Sequence, residues 1–321
     1  HTKECINRDR KTFYFSSWMH ESYEGFCSDF GPVDLAATVR FCDLLKERLE
    51  DPRLKGRNLV YYCDANAAYF TNLAYLLGAY LVLVEHKTPE AAAQQFANID
   101  SSMIKPFRDA TQSKSTFKVT VLDCCRGLKR ATDAGFFKYS AFDVEKYECL
   151  LDPLVADASI VCPKFIAFRG PISDQYRSSR RRTSFRGLTE WALAPSSYVS
   201  LFKELGVSTV VRLNEADTYN KEEFCRESIE HHELFFEDCT VPTLEQVQQF
   251  HDICDSARGS VAVHCMAGLG RTGTMIATWI MKNFGWTARE AISWLRIVRP
   301  GSVMGPQQHF LESYEEIITR P

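Results

Sequence analysis

The chain has 321 residues and a mass of 36.7 kDa, roughly twice the usual length of one domain, so two domains are expected. Its 38 basic and 41 acidic residues leave a net charge of −3, and this balance favours neither a nucleic-acid nor a membrane-surface partner. The longest apolar run, near residues 73–84, is shorter than the ~20 residues of a membrane span, so no span is expected.

Cysteine and histidine patterns bear on compartment and metal binding. The twelve cysteines contain no C-x-x-C pair, which favours a reducing, intracellular location, cytoplasmic or nuclear. His231 and His232 are adjacent in a predicted strand and should point to opposite faces. We therefore expect no metal and no cofactor.

Two stretches of the chain resemble each other, residues 59–81 and 261–283. Each reads as a short strand, a cysteine (Cys63 or Cys265), a loop of small residues and an apolar-faced helix, and a second helix signal follows each. The pattern predicts an α/β fold with two tandem copies of one architecture, although chance similarity of a common unit stays open.

The predicted boundary lies in a loop-rich stretch before the strand signal that ends at Gly170. We expect an N-terminal domain at residues 1–145, a linker at 146–165 and a C-terminal domain at 166–321. Residues 172–186 are polar and rich in arginine at 177–186, which predicts an exposed loop. A docking or nuclear-import signal is the alternative.

The remaining elements alternate between strands and helices. Strands are predicted from Val207 and from Glu227, a loop through Asp238, and a helix over 243–257. A strand at 260–264, helices over 272–283 and from Thr287, a loop at 300–306 and a closing helix follow.

The segment HCMAGLGRTG, residues 264–273, is the candidate site. Its glycines allow backbone amides to converge on an anion at a helix N-terminus, which would also lower the thiol pKa of Cys265 and make it a nucleophile toward phosphorus. Arg271 would bind two phosphate oxygens and stabilise the transition state. The predicted phosphate-binding residues are Met266, Ala267, Gly268, Leu269, Gly270 and Arg271.

Three further side chains complete the catalytic prediction. Thr272 either caps the helix or donates a hydrogen bond to the Cys265 sulfur, and the sequence leaves both open. Asp238, in a loop 27 residues before the cysteine, is the candidate general acid, with Glu237 as its rival. His264, directly before the nucleophile, is expected to support the site.

Two other cysteines test how specific this motif is. Cys124 precedes Arg130 at the same spacing, but Asp123 would oppose a thiolate and Ala131 replaces the hydroxyl, so we interpret it as structural. Cys63 has Tyr69 at the arginine position, and we expect no phosphate site there.

The motif and its surroundings resemble one group of cysteine-dependent phosphatases, the cell division cycle 14 family of dual-specificity phosphatases. The resemblance rests on HCMAGLGRTG and on segments such as YFSSWMHESYEGFCSDFGPVDLA, VLDCCRGLKRATDAGFF, CPKFIAFRGP and RPGSVMGPQQHFLE, and it covers nearly the whole chain. It implies two tandem phosphatase-like α/β domains, each a central sheet flanked by helices, of which only the second is catalytic.

The resemblance also implies roles and substrates. It places Cys265 and Arg271 at the nucleophile and phosphate-binding positions, Asp238 at the general acid, and Gln307 and Gln308 in the loop that positions the hydrolytic water. It implies phosphoprotein substrates bound in a groove between the domains. The expected preference is phosphoserine, then phosphothreonine, followed by proline, with some activity on phosphotyrosine, opposing cyclin-dependent kinases in the cell cycle.

The chain departs from the family pattern in two places. Met266 stands where the family usually has lysine, so we expect a modest loss of electrostatic attraction. The acidic groove segment keeps Asp143, Glu145 and Glu148 but includes Lys146, so we expect a weaker demand for basic residues after the proline.

Two alternatives remain from the sequence. An inositol-lipid phosphatase would need additional lysines in the loop, where Met266 and Leu269 stand. A catalytically inactive phosphopeptide-binding module would not need the intact Cys265, Asp238 and Arg271.

Overall fold

A computed structural model describes residues 11–100, 102–179 and 192–320. The elements of the first half are β1 (Thr12–Phe15), α1 (Leu35–Glu50), β2 (Asn58–Tyr61), α2 (Ala67–Leu83), α3 (Pro89–Gln94), α4 (Val121–Asp133) and α5 (Val144–Leu151). Those of the second half are β3 (Ala158–Cys162), β4 (Phe165–Phe168), α6 (Asp174–Ser179), α7 (Pro195–Glu204), β5 (Val207–Arg212), α8 (Glu222–Cys225), β6 (Glu230–Glu233), α9 (Leu244–Ser256), β7 (Ser260–His264), α10 (Gly270–Phe284), α11 (Ala288–Val298) and α12 (Pro306–Thr319).

The sheets confirm the predicted α/β class. In the second half, five strands lie in the order β3-β4-β7-β5-β6, with β3 antiparallel to β4 and the other pairs parallel. Strand β7 is central and buried along its length, since apolar helices cover the sheet. In the described part of the first half, the sheet consists of β1 and β2 in parallel.

The repeated strand-cysteine-loop-helix unit is present twice, as predicted. Cys63 lies between β2 and α2, and Cys265 lies between β7 and α10. Strands β4, β7 and β5 end in register, with Phe168 and Arg212 both paired to His264. Because the carboxyl ends of parallel strands share one edge, the loop after β7 opens there, between the loops that follow β4 and β5.

The two halves share one hydrophobic core. Helix α4 of the first half packs against α11 of the second, and one apolar cluster contains Phe41, Leu128 and Trp294 together. At the edge of this contact Arg130 donates from Nη2 to the carbonyl of Gly285 at 2.7 Å and from Nε to Glu290 at 3.2 Å. The first half is therefore part of the scaffold that supports α10.

Several predicted boundaries change in the structure. Residues 146–165, predicted as a linker, carry most of α5 and all of β3, which is the edge strand of the five-stranded sheet; the domain boundary itself stays a prediction. The strand predicted from Glu227 begins at Glu230, because Ser228 has a left-handed backbone (φ +64°) that separates α8 from β6.

The polar segment predicted as an exposed loop is in part helical. Helix α6 covers Asp174–Ser179, where Ile172 and Tyr176 pack on Ala192 and Arg177 donates to the Ala192 carbonyl at 2.6 Å. Residues 180–186 of the arginine-rich stretch lie outside the described residues.

Candidate active site

The candidate phosphate loop connects β7 to α10. Cys265 follows the last residue of β7 and is buried, and the helix begins at Gly270, two residues earlier than predicted. In the structure no side chain caps this helix, so its first amides keep their hydrogen-bonding capacity for an anion.

The carbonyls of residues 265–268 are all bound by groups outside the loop. His264 Nδ1 bonds the Cys265 carbonyl at 2.9 Å, and the Gly170 amide donates to the Met266 carbonyl at 3.1 Å. Arg299 donates to the next two carbonyls, from Nη2 to Ala267 at 3.1 Å and from Nε to Gly268 at 2.8 Å. In a trans peptide the next amide points opposite to its carbonyl, so the amides of residues 266–269 point away from these partners and into the loop.

Arg299 is itself fixed by a carboxylate that is mostly buried, with 14% of its side chain exposed. Its Nη2 lies 2.8 Å from Asp157 Oδ1, and Arg169 Nε lies 2.5 Å from Oδ2 of the same residue. Burial opposes the ionised form of Asp157, but the two arginines hold its pKa below the ordinary value. The outer side of the loop is thus supported by an ion-paired network.

Arg271 lies in the first turn of α10 with only 1% of its surface exposed. Its Nη1 donates to the carbonyls of Phe236, at 2.8 Å, and Leu213, at 3.3 Å. Within the described residues these are the hydrogen bonds of the guanidinium, so Nη2, and Nε once Asp238 moves away from it, can donate to a bound anion. This is the geometry of a rigid fork for phosphate oxygens.

Asp238 lies in the loop that connects β6 to α9 and is mostly exposed. Its Oδ1 is 3.2 Å from Arg271 Nε, and within the described part of the chain it is the carboxylate that pairs with Arg271. A tight turn shapes the loop, in which Cys239 has φ +59° and Thr240 Oγ1 donates to the Glu237 carbonyl at 2.7 Å. Of the two candidate acids, Asp238 is therefore the one that faces the arginine.

Gln307 and Gln308, which are predicted to position the hydrolytic water, lie in the first turn of α12, and both are buried. Gln307 accepts a hydrogen bond from the Met304 amide at 3.1 Å and donates to the Thr240 carbonyl, also at 3.1 Å, in the loop that carries Asp238. Gln308 accepts from Arg296 Nη2 at 2.7 Å. Gln307 thus connects α12 directly to the candidate acid loop.

The position of Thr272 contradicts one of its two predicted roles. It is the third residue of α10 rather than its cap, so the capping prediction is wrong. Its hydroxyl is buried without a hydrogen-bond partner in the described structure. A bond from this hydroxyl to the sulfur during the reaction stays a prediction.

His264 is the end of a buried hydrogen-bond chain that the sequence did not reveal. Its Nε2 lies 2.7 Å from the Tyr219 hydroxyl, which lies 2.7 Å from His231 Nε2. Because Nδ1 of His264 faces the Cys265 carbonyl it carries the proton, Tyr219 donates to Nε2, and His231 donates to Tyr219. Burial lowers the pKa of His264 to about 3 and that of His231 to about 4, so both rings are neutral above pH 5.

His231 and His232 do point to opposite faces, as predicted. The side chain of His231 is fully buried, whereas that of His232 is 38% exposed. Among the described residues, no group of three possible ligands is placed to hold a metal ion.

The other two cysteines lie in different surroundings. Burial raises the pKa of Cys63, and Asp64 and Glu21 add to the effect. Cys124 is fully buried inside α4, where burial first and then Cys125 and Asp123 raise its thiol pKa. Neither side chain is prepared to act as a thiolate.

Met266 packs where the resemblance implies lysine. Its partly buried side chain lies against the small cluster of Ile172, Tyr176 and Ala192. The position is therefore filled by apolar packing, while its backbone amide remains part of the loop.

Two family models match the two halves of the chain. The family model "Dual specificity protein phosphatase, N-terminal half" matches residues 2–131, and "Dual specificity phosphatase, catalytic domain" matches residues 192–317.

No helix within the described ranges has the length and apolar character needed to cross a membrane.

Similar proteins match along nearly the whole chain. Mouse dual specificity protein phosphatase CDC14A is 39% identical over 310 residues, 95% of this chain and 50% of its own length. Human CDC14C is 39% identical over 299 residues, 93% of this chain and 64% of its own, and the Saccharomyces cerevisiae tyrosine-protein phosphatase CDC14 is 36% identical over 298 residues, 90% and 52%. The chain spans about half the length of the first of these. With both phosphatase halves matched, the chain belongs to the CDC14 family of dual-specificity protein phosphatases.

Proposed function

We propose that this protein hydrolyses phosphoserine and phosphothreonine, preferring phosphoserine followed by proline, and also acts on phosphotyrosine, through a cysteinyl-phosphate intermediate. The observation that carries the proposal is the loop at residues 265–271. There, four inward amides and the buried Arg271 guanidinium surround the position next to Cys265. Such a site binds a tetrahedral dianion and stabilises the charge that develops on its oxygens.

The reaction proceeds in two displacements. In the first, the Cys265 sulfur attacks phosphorus, the P–O bond to the substrate breaks, and Asp238 gives its proton to the leaving oxygen. In the second, Asp238 takes a proton from water, the water oxygen attacks phosphorus, and the S–P bond breaks to release phosphate. Gln307 positions this water and Thr272 stabilises the leaving sulfur, while Arg271 holds the phosphoryl oxygens throughout.

An aromatic residue of the first half supports the proline preference. Phe26 is 57% exposed, and its ring lies over the backbone of Gly301, where an added Cβ would be 2.7 Å from the ring and 3.3 Å from the Leu269 side chain. It therefore gives the phosphate loop an apolar neighbour from the other half. A flat aromatic surface suits the proline ring after the phosphorylated residue.

The acidic segment supports a weak demand for basic residues further along the substrate. Glu148 forms an ion pair with Arg40 at 2.6 Å, and Asp143 is occupied in accepting from the Lys146 amide at 2.9 Å as the cap of α5. Lys146, beside them, pairs with Glu204 at 3.1 Å. A substrate with this preference would be the product of a proline-directed, cyclin-dependent type of kinase, which this enzyme would oppose in the cell cycle.

Turnover of p-nitrophenyl phosphate and of matched phosphopeptides tests the proposal. Wild-type protein should release phosphate from both, Cys265→Ser should not, and a phosphoserine-proline peptide should exceed its phosphoserine-alanine and phosphothreonine-proline counterparts in kcat/KM. Absence of wild-type turnover between pH 5 and 8 with retained phosphopeptide binding would instead indicate a binding module. Faster release from inositol phospholipids than from peptides would indicate a lipid phosphatase.

A further inference from the structure

The first half contacts the catalytic half at a point where a buried carboxylate reaches the glutamine loop, residues 303–308. Asp109 is 2% exposed, and its Oδ2 accepts a hydrogen bond from the Gly305 amide at 2.8 Å, across 196 residues of sequence. Gly305 is the residue before α12 and has a left-handed backbone, φ +57°. The contact therefore fixes the turn from which Gln307 and Gln308 project.

The segment that carries Asp109 is rigidly placed. Phe107, two residues earlier, is fully buried and pairs its backbone with Val119 through hydrogen bonds of 2.8 and 3.2 Å. Burial would disfavour a charge on Asp109, yet the Gly305 amide and other hydrogen bonds bring the pKa of its carboxyl below the ordinary value. Asp109 is thus an ionised acceptor held at a fixed position.

Arg296 holds Gln308 and the residues just before Gly305. It is buried, donates to the carbonyls of Ser302 and Val303, at 3.1 and 2.7 Å, and to Gln308 Oε1 at 2.7 Å. Burial lowers the pKa of Arg296, and the negative charge of Asp109 in the first half opposes this effect without forming an ion pair with it.

We propose that Asp109 is a positioning residue for the reaction: by holding the Gly305 amide it sets Gln307, which bonds the Thr240 carbonyl in the acid loop, so that the first half assists the chemical steps as well as substrate binding. The inference rests on the proposed function. The connection runs from Asp109 through Gly305 to Gln307 and on to the loop of Asp238. It reaches the position of the hydrolytic water through Gln307, so its loss should slow hydrolysis of the phosphoenzyme, and kcat and KM should fall together while kcat/KM stays close to that of wild type.

The experiment compares Asp109→Ala with Asp109→Asn in the whole chain. The alanine variant leaves the Gly305 amide without its acceptor, and we expect kcat for p-nitrophenyl phosphate to fall about tenfold together with KM, with little change in kcat/KM. Because the water that attacks the phosphoenzyme loses its position, stopped-flow should show a burst of nitrophenol larger than that of wild type. Asparagine retains an oxygen for the amide and should restore most of kcat and remove the additional burst.

Thr116→Val is the matched control. Thr116 Oγ1 bonds His309 Nε2 at 2.9 Å, also between the first half and α12 but on the exposed side, away from Gly305. This variant should retain wild-type kcat and burst. If Asp109→Ala does not fold, Asp109→Leu, which fills the same volume without an acceptor, takes its place.

Several results would overturn the proposal. The test uses the alanine variant, or the leucine variant if alanine does not fold. A wild-type kcat in that variant would remove the positioning role, and so would a rise in KM without a change in kcat. An equal loss in Asp109→Asn, or in Thr116→Val, would also contradict it, since neither change removes the acceptor of Gly305. An inactive wild-type protein would refute the proposed function instead, and the two failures are therefore distinguishable.

Discussion

Substitution of Gly268 tests whether the backbone of the phosphate loop determines the site. Gly268 has φ +70°, and a Cβ added there would lie 2.0 Å from the Phe168 carbonyl oxygen. The left-handed backbone costs an L-residue about 1–2 kcal/mol, and separating the two main chains adds an overpacking cost of about 1–3 kcal/mol. Gly268→Ala should therefore destabilise the fold by about 2–5 kcal/mol, and a displaced loop should lower kcat/KM by about 100-fold.

Gly285→Ala is the control at the other end of the same helix. Gly285 also has a left-handed backbone, φ +63°, but a Cβ there meets no atom within 4 Å. It should therefore cost only the backbone term, about 1–2 kcal/mol, and leave kcat/KM unchanged. Urea unfolding of both variants and turnover of p-nitrophenyl phosphate measure the difference. Equal stability losses, or full activity in Gly268→Ala, would refute the argument that contact with β4 shapes the loop.

Three other predictions concern the acid, the loop support and pH. Asp238→Ala should lower kcat/KM, which reports the first displacement alone, by about 10²–10⁴-fold for a phosphoserine peptide but far less for p-nitrophenyl phosphate, whose leaving group needs no proton; equal losses in kcat/KM would remove Asp238 from the role of general acid. Arg299→Lys cannot reproduce the contacts of Nε and Nη2 with the loop carbonyls, so the affinity for phosphate, measured by calorimetry, should fall about tenfold. An unchanged affinity would show that Arg299 does not hold the loop in its binding conformation. Burial lowers the pKa of His264 to about 3 and that of His231 to about 4, whereas an unfolded chain has the ordinary value near 6.5. Between about pH 4 and pH 6.5 these two rings therefore take up protons in the unfolded chain but remain neutral in the folded chain. Stability should hence be independent of these rings above pH 6.5 and fall toward pH 4, by roughly 2–3 kcal/mol for His231 at pH 4.5. Urea titrations of His231→Gln should show a smaller fall than those of wild type.

The parts of the fold that local sequence determines were predictable. The unit of strand, cysteine, loop and helix was visible twice because its apolar pattern changes period at the cysteine, and it occurs at β2-α2 and β7-α10. The start of β6 was not visible, because the left-handed backbone at Ser228 ends α8 without a glycine to mark the turn. The strand signal that ends near Gly170 contains two strands, β3 and β4, which form a hairpin across two residues, and the predicted linker included the first of them.

The residues of the candidate site also differ in whether the sequence predicts them. Cys265 and Arg271 lie at the two ends of the phosphate loop, so the motif was sufficient to identify them. Arg299, which holds that loop from outside, is 31 residues from Gly268, and its carboxylate partner Asp157 is 142 residues away. Only packing brings such pairs together, although an arginine at the end of the apolar-faced helix α11 could have indicated a buried role.

The buried arginines have different roles at the candidate site. The described chain buries Arg212, Arg271, Arg296 and Arg299. Arg212 and Arg299 each pair with one carboxylate at 2.8 Å or less, so little of their charge remains for a ligand. Arg271 differs because its partner, Asp238, is 67% exposed on a loop; in the proposed reaction a phosphate dianion takes over the pairing as that carboxylate turns to the leaving group. Met266 adds no charge here, so the proposed reaction relies on Arg271 and the amides to bind phosphate, and the surrounding ion pairs hold both in place.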